Sequence, residues 1–296
     1  MRLESIVVPP SVKPALESAT LPNLESAVMR VIEGNPGTVN GEKSRSLEQL
    51  VAKGKAAIIP APALETIIGQ VDSRVRILDT DLDPWRMICN LEITGPLGRF
   101  VGTGWFAGPR TVITAGHCVS APMMGGNATS IRVTPGRNVG AIQYGSKVST
   151  SFSATNLWYQ NQDPDFDIGC IHLAEPFDPI PGWFTIESMD PAELEGYLIN
   201  VAGYPGDKGG DKMYHHANQV LTTSDRRLFY NVDTMGGQSG GPAWVHKSEN
   251  GPPVVVGIHA YGEGATPANF NIEANSAPRI IPEVFDLIQG WVTADS

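Results

Sequence analysis

From about Arg74 onward, short runs of β-branched and aromatic residues alternate with glycine and proline, which leaves room for little except many short strands joined by tight turns. The runs 86–94, 99–106 and 111–114 are separated by Gly95-Pro96-Leu97-Gly98 and Gly108-Pro109. Comparable runs recur at 130–133, 168–173, 198–203, 228–232, 242–245 and 254–259. If 95–98 closes a hairpin, Thr94 faces Arg99 and Cys89 falls opposite Gly104. Near the end, Ile281, Val284, Phe285, Leu287, Ile288 and Trp291 recur at helical spacing behind Pro282, which suits a first helical turn. The expectation is an all-β chain of about twelve strands closed by one terminal helix.

Residues 1–65 have a different texture. They are rich in Pro, Ala, Glu and Ser and contain no Trp, Phe, Tyr, His or Cys. A stretch without aromatic side chains has little with which to build its own core, so it reads as an appended, weakly autonomous region. The N-terminus carries Glu4 early, and its apolar stretch stops at Pro9-Pro10, unlike a secretory leader. The longest apolar run, 56–64, is broken by Pro60 and Pro62 and falls short of the roughly 18 residues a membrane span needs. Lys+Arg 21 against Asp+Glu 31 gives a net charge of -10, which disfavours nucleic acid and anionic membrane as partners. Cys89, Cys118 and Cys170 leave at least one thiol unpaired, and their spacing matches no zinc pattern.

The segment richest in chemistry is Gly236-Gly237-Gln238-Ser239-Gly240-Gly241-Pro242. Four glycines let the backbone turn sharply and gather amide N–H groups around one serine, as an oxyanion hole requires. In the nucleophile elbow of α/β-hydrolases the acid and the histidine follow the serine. Only 57 residues follow Ser239, with Glu249, Asp286, His246 and His259 to choose from and no βαβ pattern, so that order fails. The other order needs a histidine and an acid upstream. His117, in Thr114-Ala115-Gly116-His117-Cys118, stands where an apolar run gives way to a turn. His172 lies in a strand run, His215 and His216 are adjacent, and His246 sits in a polar loop. Asp167 is the last acid before the apolar run 168–173 and is best placed to be buried against an imidazole, while Asp163 and Asp165 read as loop acids. A metal hydrolase built on His215, His216 and the 163–167 acids is a poor rival, because adjacent strand residues point to opposite faces.

The three segments Thr-Ala-Gly-His-Cys, Asp-Ile-Gly-Cys-Ile and Gly-Gly-Gln-Ser-Gly-Gly-Pro, in this order, resemble the chymotrypsin-like serine peptidases. The stretches 133–138, 202–208 and 232–239 narrow the resemblance to the bacterial glutamyl endopeptidase branch, over about residues 66 to 296. The resemblance implies two six-stranded antiparallel β-barrels with a C-terminal helix and an N-terminal pro-segment. The pro-segment would be 1–65, the first barrel 66–183 with His117 and Asp167, and the second 184–296 with Ser239. It implies a serine endopeptidase working through an acyl-enzyme, with Gly237 and Ser239 N–H groups as the oxyanion hole and no metal or cofactor. Thr234 and His259 would line the primary pocket and favour a Glu, or Asp, side chain in protein or peptide substrates. Other trypsin-like specificities and a non-catalytic module of the same fold are the alternatives.

Cleavage at Glu65-Thr66 would match the family's maturation junction, with Arg74 and Arg76 as rival sites for a trypsin-like activator. The family suggests secretion, but no leader pattern is visible, which leaves a cytoplasmic enzyme as the alternative; a monomer is expected. Two departures stand out. Gly102 replaces the usual partner of the cysteine beside the catalytic histidine, so Cys118 either bridges to Cys89 or stays reduced. Gln238 replaces the acid that pairs with a new N-terminus in chymotrypsin, so that ion pair cannot form.

Overall fold

The hairpin anticipated around Pro96-Leu97 anchors the first half of the chain. In the computed structural model, which describes residues 3–11, 57–58, 66–69, 71–249, 251–262, 270 and 272–296, strands Ile88–Gly95 and Gly98–Phe106 pair antiparallel. Thr94 lies opposite Arg99 and Cys89 opposite Gly104, the register read from the sequence.

The strands in chain order are β1 Ser5–Val8, β2 Ala57–Ile58, β3 Val75–Arg76, β4 Ile88–Gly95, β5 Gly98–Phe106, β6 Thr111–Thr114, β7 Ser120–Ala121, β8 Gly126–Asn127, β9 Ser130–Pro135 and β10 Lys147–Ser149. They continue as β11 Ser151–Thr155, β12 Gly169–His172, β13 Thr185–Ile186, β14 Leu198–Gly203, β15 Tyr214–Thr223, β16 Arg227–Tyr230, β17 Pro242–His246, β18 Pro253–Ile258 and β19 Asn275–Pro278. Among the described residues the α-helices are α1 Gly116–Val119, α2 Asn156–Asn161, α3 Pro191–Leu194 and the terminal α4 Pro282–Ala294.

Two large sheets result and form the expected all-β, two-barrel architecture, while β7 and β8 pair with each other in a separate two-stranded sheet. The first runs β1-β11-β12-β6-β5-β4-β9-β10, with β2 lying parallel to β5; the second runs β13-β18-β17-β14-β15-β16-β19, with β3 on β15. Nineteen strands among the described residues exceed the expected twelve: β2, β3, β7, β8 and β13 are only two residues long, and β10, β11, β15 and β19 carry no apolar alternation that would announce them. The first strand belongs to the 1–65 region: β1 pairs antiparallel with β11, from Ser5 opposite Thr155 to Val8 opposite Phe152, and Val8 joins the first core.

Each sheet wraps its own apolar core, and a third cluster lies between them. That seam brings Trp105 from β5 against Phe184, which in turn packs on Trp244 from β17, with ring centroids 5.9 and 6.0 Å apart. Burying a large apolar side chain contributes about 1.5–3 kcal/mol, so this aromatic stack is a substantial part of what holds the two halves together. Helix α4 closes the seam with Val284, Ile288 and Trp291, the face its sequence period predicts. Its end is clipped back to the first sheet, where Thr111 Oγ1 donates to Asp295 Oδ2 at 2.6 Å and His172 Nδ1 lies 3.0 Å from Asp295 Oδ1.

Candidate active site

His117 enters the cleft on α1, a single helical turn straight after β6. The turn is set by packing. A Cβ on Gly116 would lie 2.4 Å from Trp158 Cδ1, so only glycine lets the indole rest against this backbone. Trp158 is fixed in turn by its Nε1–H donating to Ser120 O at 3.0 Å. Asp167, fully buried, follows the 3₁₀ turn Pro164–Phe166, which Asp163 caps by accepting from Asp165 N at 3.1 Å. Asp163 and Asp165 are therefore loop acids, and Asp167 is the acid that meets the histidine.

Three donors converge on the Asp167 carboxylate. The His117 backbone N–H donates to Oδ1 at 2.8 Å, and His117 Nδ1 lies 2.6 Å from Oδ2. The third was not anticipated: Tyr261 Oη–H donates to Oδ2 at 2.6 Å. Burial disfavours the imidazolium, but the Asp167 carboxylate outweighs it and holds His117 above its ordinary value. Burial and the same carboxylate push the Tyr261 phenol far up, so it stays protonated and remains a donor. His117 Nε2, on the other side of the ring, has no hydrogen-bond partner among the described residues.

The nucleophile turn is built differently. Gly237 and Gly240 have φ of 103° and 86°, the left-handed region that glycine enters freely. Space forbids a side chain as well: a Cβ would fall 2.6 Å from Tyr204 O at Gly237 and 2.2 Å from Thr103 O at Gly240. Thr103, in β5 of the first barrel, ties the turn across the cleft. Its N–H donates to Ser239 O at 2.9 Å and its Oγ1 donates to Gly237 O at 2.8 Å. Cys118 Sγ lies 3.7 Å from the same Ser239 O, so Ser239 sits against the neighbour of His117. The sequence-assigned His117, Asp167, Gly237 and Ser239 are thereby brought to one place.

Thr234 and His259 flank this turn from the second barrel. His259 N–H donates to Gly241 O at 2.9 Å and its carbonyl accepts from Gly240 N at 2.7 Å. Tyr230, another unanticipated participant, places its hydroxyl 2.6 Å from His259 Nδ1. The buried Thr234 hydroxyl has no partner among the described residues. Beside it, Thr66 is held on both sides by Asn275: Thr66 N donates to Oδ1 at 3.2 Å and Nδ2 donates to Thr66 O at 2.6 Å. Thr234 N also donates to Thr66 O at 3.2 Å. Glu65 lies outside the described residues. Of the rival cleavage sites, Arg74 is buried with a side chain 1% exposed, out of reach of an activator, whereas Arg76 is exposed.

The cysteine question is settled by the same geometry. Cys89, Cys118 and Cys170 are all free and buried, and a Cβ on Gly102 would come 3.0 Å from Cys118 Sγ, so the thiol fills the space that glycine leaves. His215 and His216 do not form a joint set. His215 packs edge-on to Trp85 at 5.1 Å, while His216 Nδ1 accepts from Asp233 N at 2.8 Å. Among the described residues the group with metal-ligand spacing is Cys170, His172 and Asp295, which is the clip on α4 and not the cluster considered from sequence.

Comparison with known proteins agrees with this fold. Residues 79–280 match the family Trypsin. The glutamyl endopeptidase of Bacillus licheniformis is 32% identical over 258 residues, covering 86% of this chain and 76% of that protein. A Bacillus subtilis protein named extracellular metalloprotease is 31% identical over 228 residues, covering 76% of this chain and 69% of that one. Among solved structures, a Glu endopeptidase in complex with MPD superposes with a TM-score of 0.66 at 23% identity, covering 77% of this chain and all of that one.

Proposed function

The chain belongs to the trypsin family of serine endopeptidases, and on that premise we propose that His117, Asp167 and Ser239 are its catalytic triad. The observation that carries the reading is the buried Asp167, whose two oxygens fix both the backbone and the imidazole of His117 beside the glycine turn of Ser239. Asp167 holds the Nδ1 tautomer, leaving Nε2 to take the proton of Ser239 Oγ as that oxygen attacks the scissile carbonyl. The imidazolium then returns the proton to the leaving amine, and water repeats the cycle on the acyl-enzyme. Gly237 and Ser239 N–H groups receive the developing oxyanion; losing one such donor costs about 3–4 kcal/mol in related systems. The proposed mechanism calls on no metal. Labelling of Ser239 by a fluorophosphonate, with turnover lost in Ser239→Ala and kept in a chelator, tests this; chelator-sensitive turnover in Ser239→Ala would replace it with metal chemistry.

The pocket reading is finer. Thr234 Oγ1 and His259 would donate to a substrate carboxylate. In the tautomer where Tyr230 Oη–H donates to Nδ1, the His259 proton sits on Nε2 and would be directed at an anionic side chain. The relatives named glutamyl endopeptidase support Glu, then Asp, as the preferred residue on the acyl side of the cut bond. The net charge of -10 offers acidic peptides no attraction at long range, so selectivity rests on the pocket alone. Maturation by cleavage between Glu65 and Thr66 follows from the same preference. It would separate the pro-segment 1–65 from the barrels 66–183 and 184–296 and leave an ammonium at Thr66, the atom that already faces Asn275 Oδ1. Mapping cuts on a mixed peptide library, together with N-terminal sequencing after incubation, checks both. Cuts after Arg or Leu would refute the pocket and leave the triad standing.

A further inference from the structure

The nucleophile turn owns almost no side-chain surface. Between Gly236 and Gly241 only Gln238 and Ser239 carry side chains, and Gln238 is fully buried. Its Oε1 accepts from Met235 N at 3.1 Å, and Gln238 N donates to Met235 O at 3.1 Å, so this side chain folds the turn back on its own entry. The same Oε1 accepts from Arg74 Nη1 at 3.3 Å. Two donors on one atom fix that atom as the amide oxygen.

Arg74 is itself immobilised. Its guanidinium makes paired bonds to Asp207, at 3.1 and 2.6 Å, and to Asp72, at 2.9 and 2.9 Å. Lys208 completes the group, 3.0 Å from Asp72 Oδ2. Two cations thus balance two carboxylates, and the paired geometry is one that a planar guanidinium satisfies and an ammonium does not. Asp207 lies in the turn Gly206–Lys208, whose Gly206 N–H donates to Gly236 O at 2.7 Å. Arg74 therefore touches the nucleophile turn through Gln238 and the turn beneath it through Asp207.

We propose that Arg74 is a positioning residue of the oxyanion hole, an internal cation that acts through Gln238 to hold the Gly237 and Ser239 N–H groups in place. It rests on the assignment of those two groups as the oxyanion donors. Where Gln238 removes any acid for a new N-terminus to pair with, the charge that orders the turn comes from within the chain, and the contact is present while residues 1–65 are attached. Order in the turn is then independent of cleavage at residue 65.

The test uses the full chain with Arg74→Met, Arg74→Lys, Gln238→Leu and the double variant Arg74→Met/Gln238→Leu. kcat and KM are measured per active site titrated with a fluorophosphonate, so that unfolded molecules do not count. Expected for Arg74→Met is a fall in kcat on the order of 10- to 100-fold with KM little changed, a fraction of what deleting a donor itself does. Arg74→Lys should recover part of it, and the double variant should be no worse than the poorer single one, because both act on one contact. A kcat within twofold of the parent in Arg74→Met, or losses that multiply in the double variant, would overturn the proposal. Ser239→Ala separates the two levels: turnover near the parent rate there defeats the triad, whereas a Ser239→Ala reduced by orders of magnitude beside a fully active Arg74→Met defeats only the role of Arg74. Where Arg74→Met yields no titratable sites, Arg74→Lys and Gln238→Leu decide by the same kcat and KM readings.

Discussion

His117 reaches the cleft on one helical turn pressed against the Trp158 ring, whereas Ser239 reaches it on a turn of four glycines with hardly any surface to press. The first support is apolar: Ala115, Cys118, Val119 and Trp158 all belong to the core of the first barrel. The second is polar, a set of single hydrogen bonds from Thr103, Gly206, His259 and, through Gln238, Arg74. A packed support fails when its volume changes, and a tied support fails when one partner is lost. The Asp167 carboxylate sits where the two meet, since it takes two donors from His117 on the packed side and one from Tyr261 on the other.

The severest break is therefore at that meeting point. Asp167→Asn keeps the shape but presents a donor where His117 Nδ1–H needs an acceptor, which favours the wrong tautomer. We expect kcat to fall by about 10⁴, the loss seen when the same change is made in related triads, with little change in KM. Steady-state kinetics on a Glu-containing peptide checks it; a loss under tenfold would mean that packing alone orients the imidazole.

A second comparison sharpens the first. His117 has a carboxylate against it and titrates high; His215 has none, lying between Trp85 and Trp244 with Nε2 3.0 Å from Asn200 Oδ1. Burial, with a smaller push from His216, lowers His215 from 6.5 to about 4. The folded chain then binds fewer protons than the unfolded chain between these values, so stability is full above pH 6.5 and is lost as pH falls toward 4. The difference is worth about 3 kcal/mol. Urea midpoints measured from pH 7 to 4 should fall, and His215→Gln should flatten that fall; an equal slope in the variant would move the cause elsewhere.

On the packed side, Gly116→Ala sets a methyl group against Trp158 Cδ1 at 2.4 Å and forces the indole or the turn to move. Overpacking of this kind costs about 1–3 kcal/mol, and here it should also cost activity because His117 is the next residue. Thermal unfolding and kcat measured together separate the two effects. Unchanged kcat with a lowered Tm would show that the turn can shift without carrying the imidazole with it.

What the sequence made legible is what local pattern controls. The β4–β5 register, the terminal helix and the positions of His117, Asp167 and Ser239 follow from turn residues, periodicity and motif order. Strand β15 stayed hidden because its ten residues bury only Val220, and β11 because Ser151–Thr155 offers mostly small and hydroxyl side chains. The polar ties were invisible for another reason. Tyr261 meets Asp167 across 94 residues of chain, Arg74 meets Gln238 across 164, and Thr66 meets Asn275 across 209. Nothing local marks one tyrosine or arginine as the partner of a group so far away, and only the fold supplies that information.

The smallest expected effect tests the single tie that crosses from one support to the other. Tyr261 follows β18 of the second barrel and bridges to Ser276, yet its ring belongs to the first core and its hydroxyl donates to Asp167 Oδ2, the oxygen that faces His117. Tyr261→Phe keeps the ring and its packing and removes only the donor. Asp167 Oδ2 then shares its charge with one hydrogen bond fewer and attracts the imidazolium proton more strongly, so His117 moves further above its ordinary value. Because the proposed base His117 must be neutral to accept the Ser239 proton, the acidic limb of kcat/KM should shift to higher pH, by less than about one unit. At pH above that limb, kcat should fall by about three- to tenfold, since one hydrogen bond to a charged group contributes roughly 1.5–3 kcal/mol and packing retains part of the geometry. A limb that stays in place with kcat unchanged would show that the two donors from His117 hold the carboxylate unaided, and that the two halves of the site meet at the cleft without being fastened there.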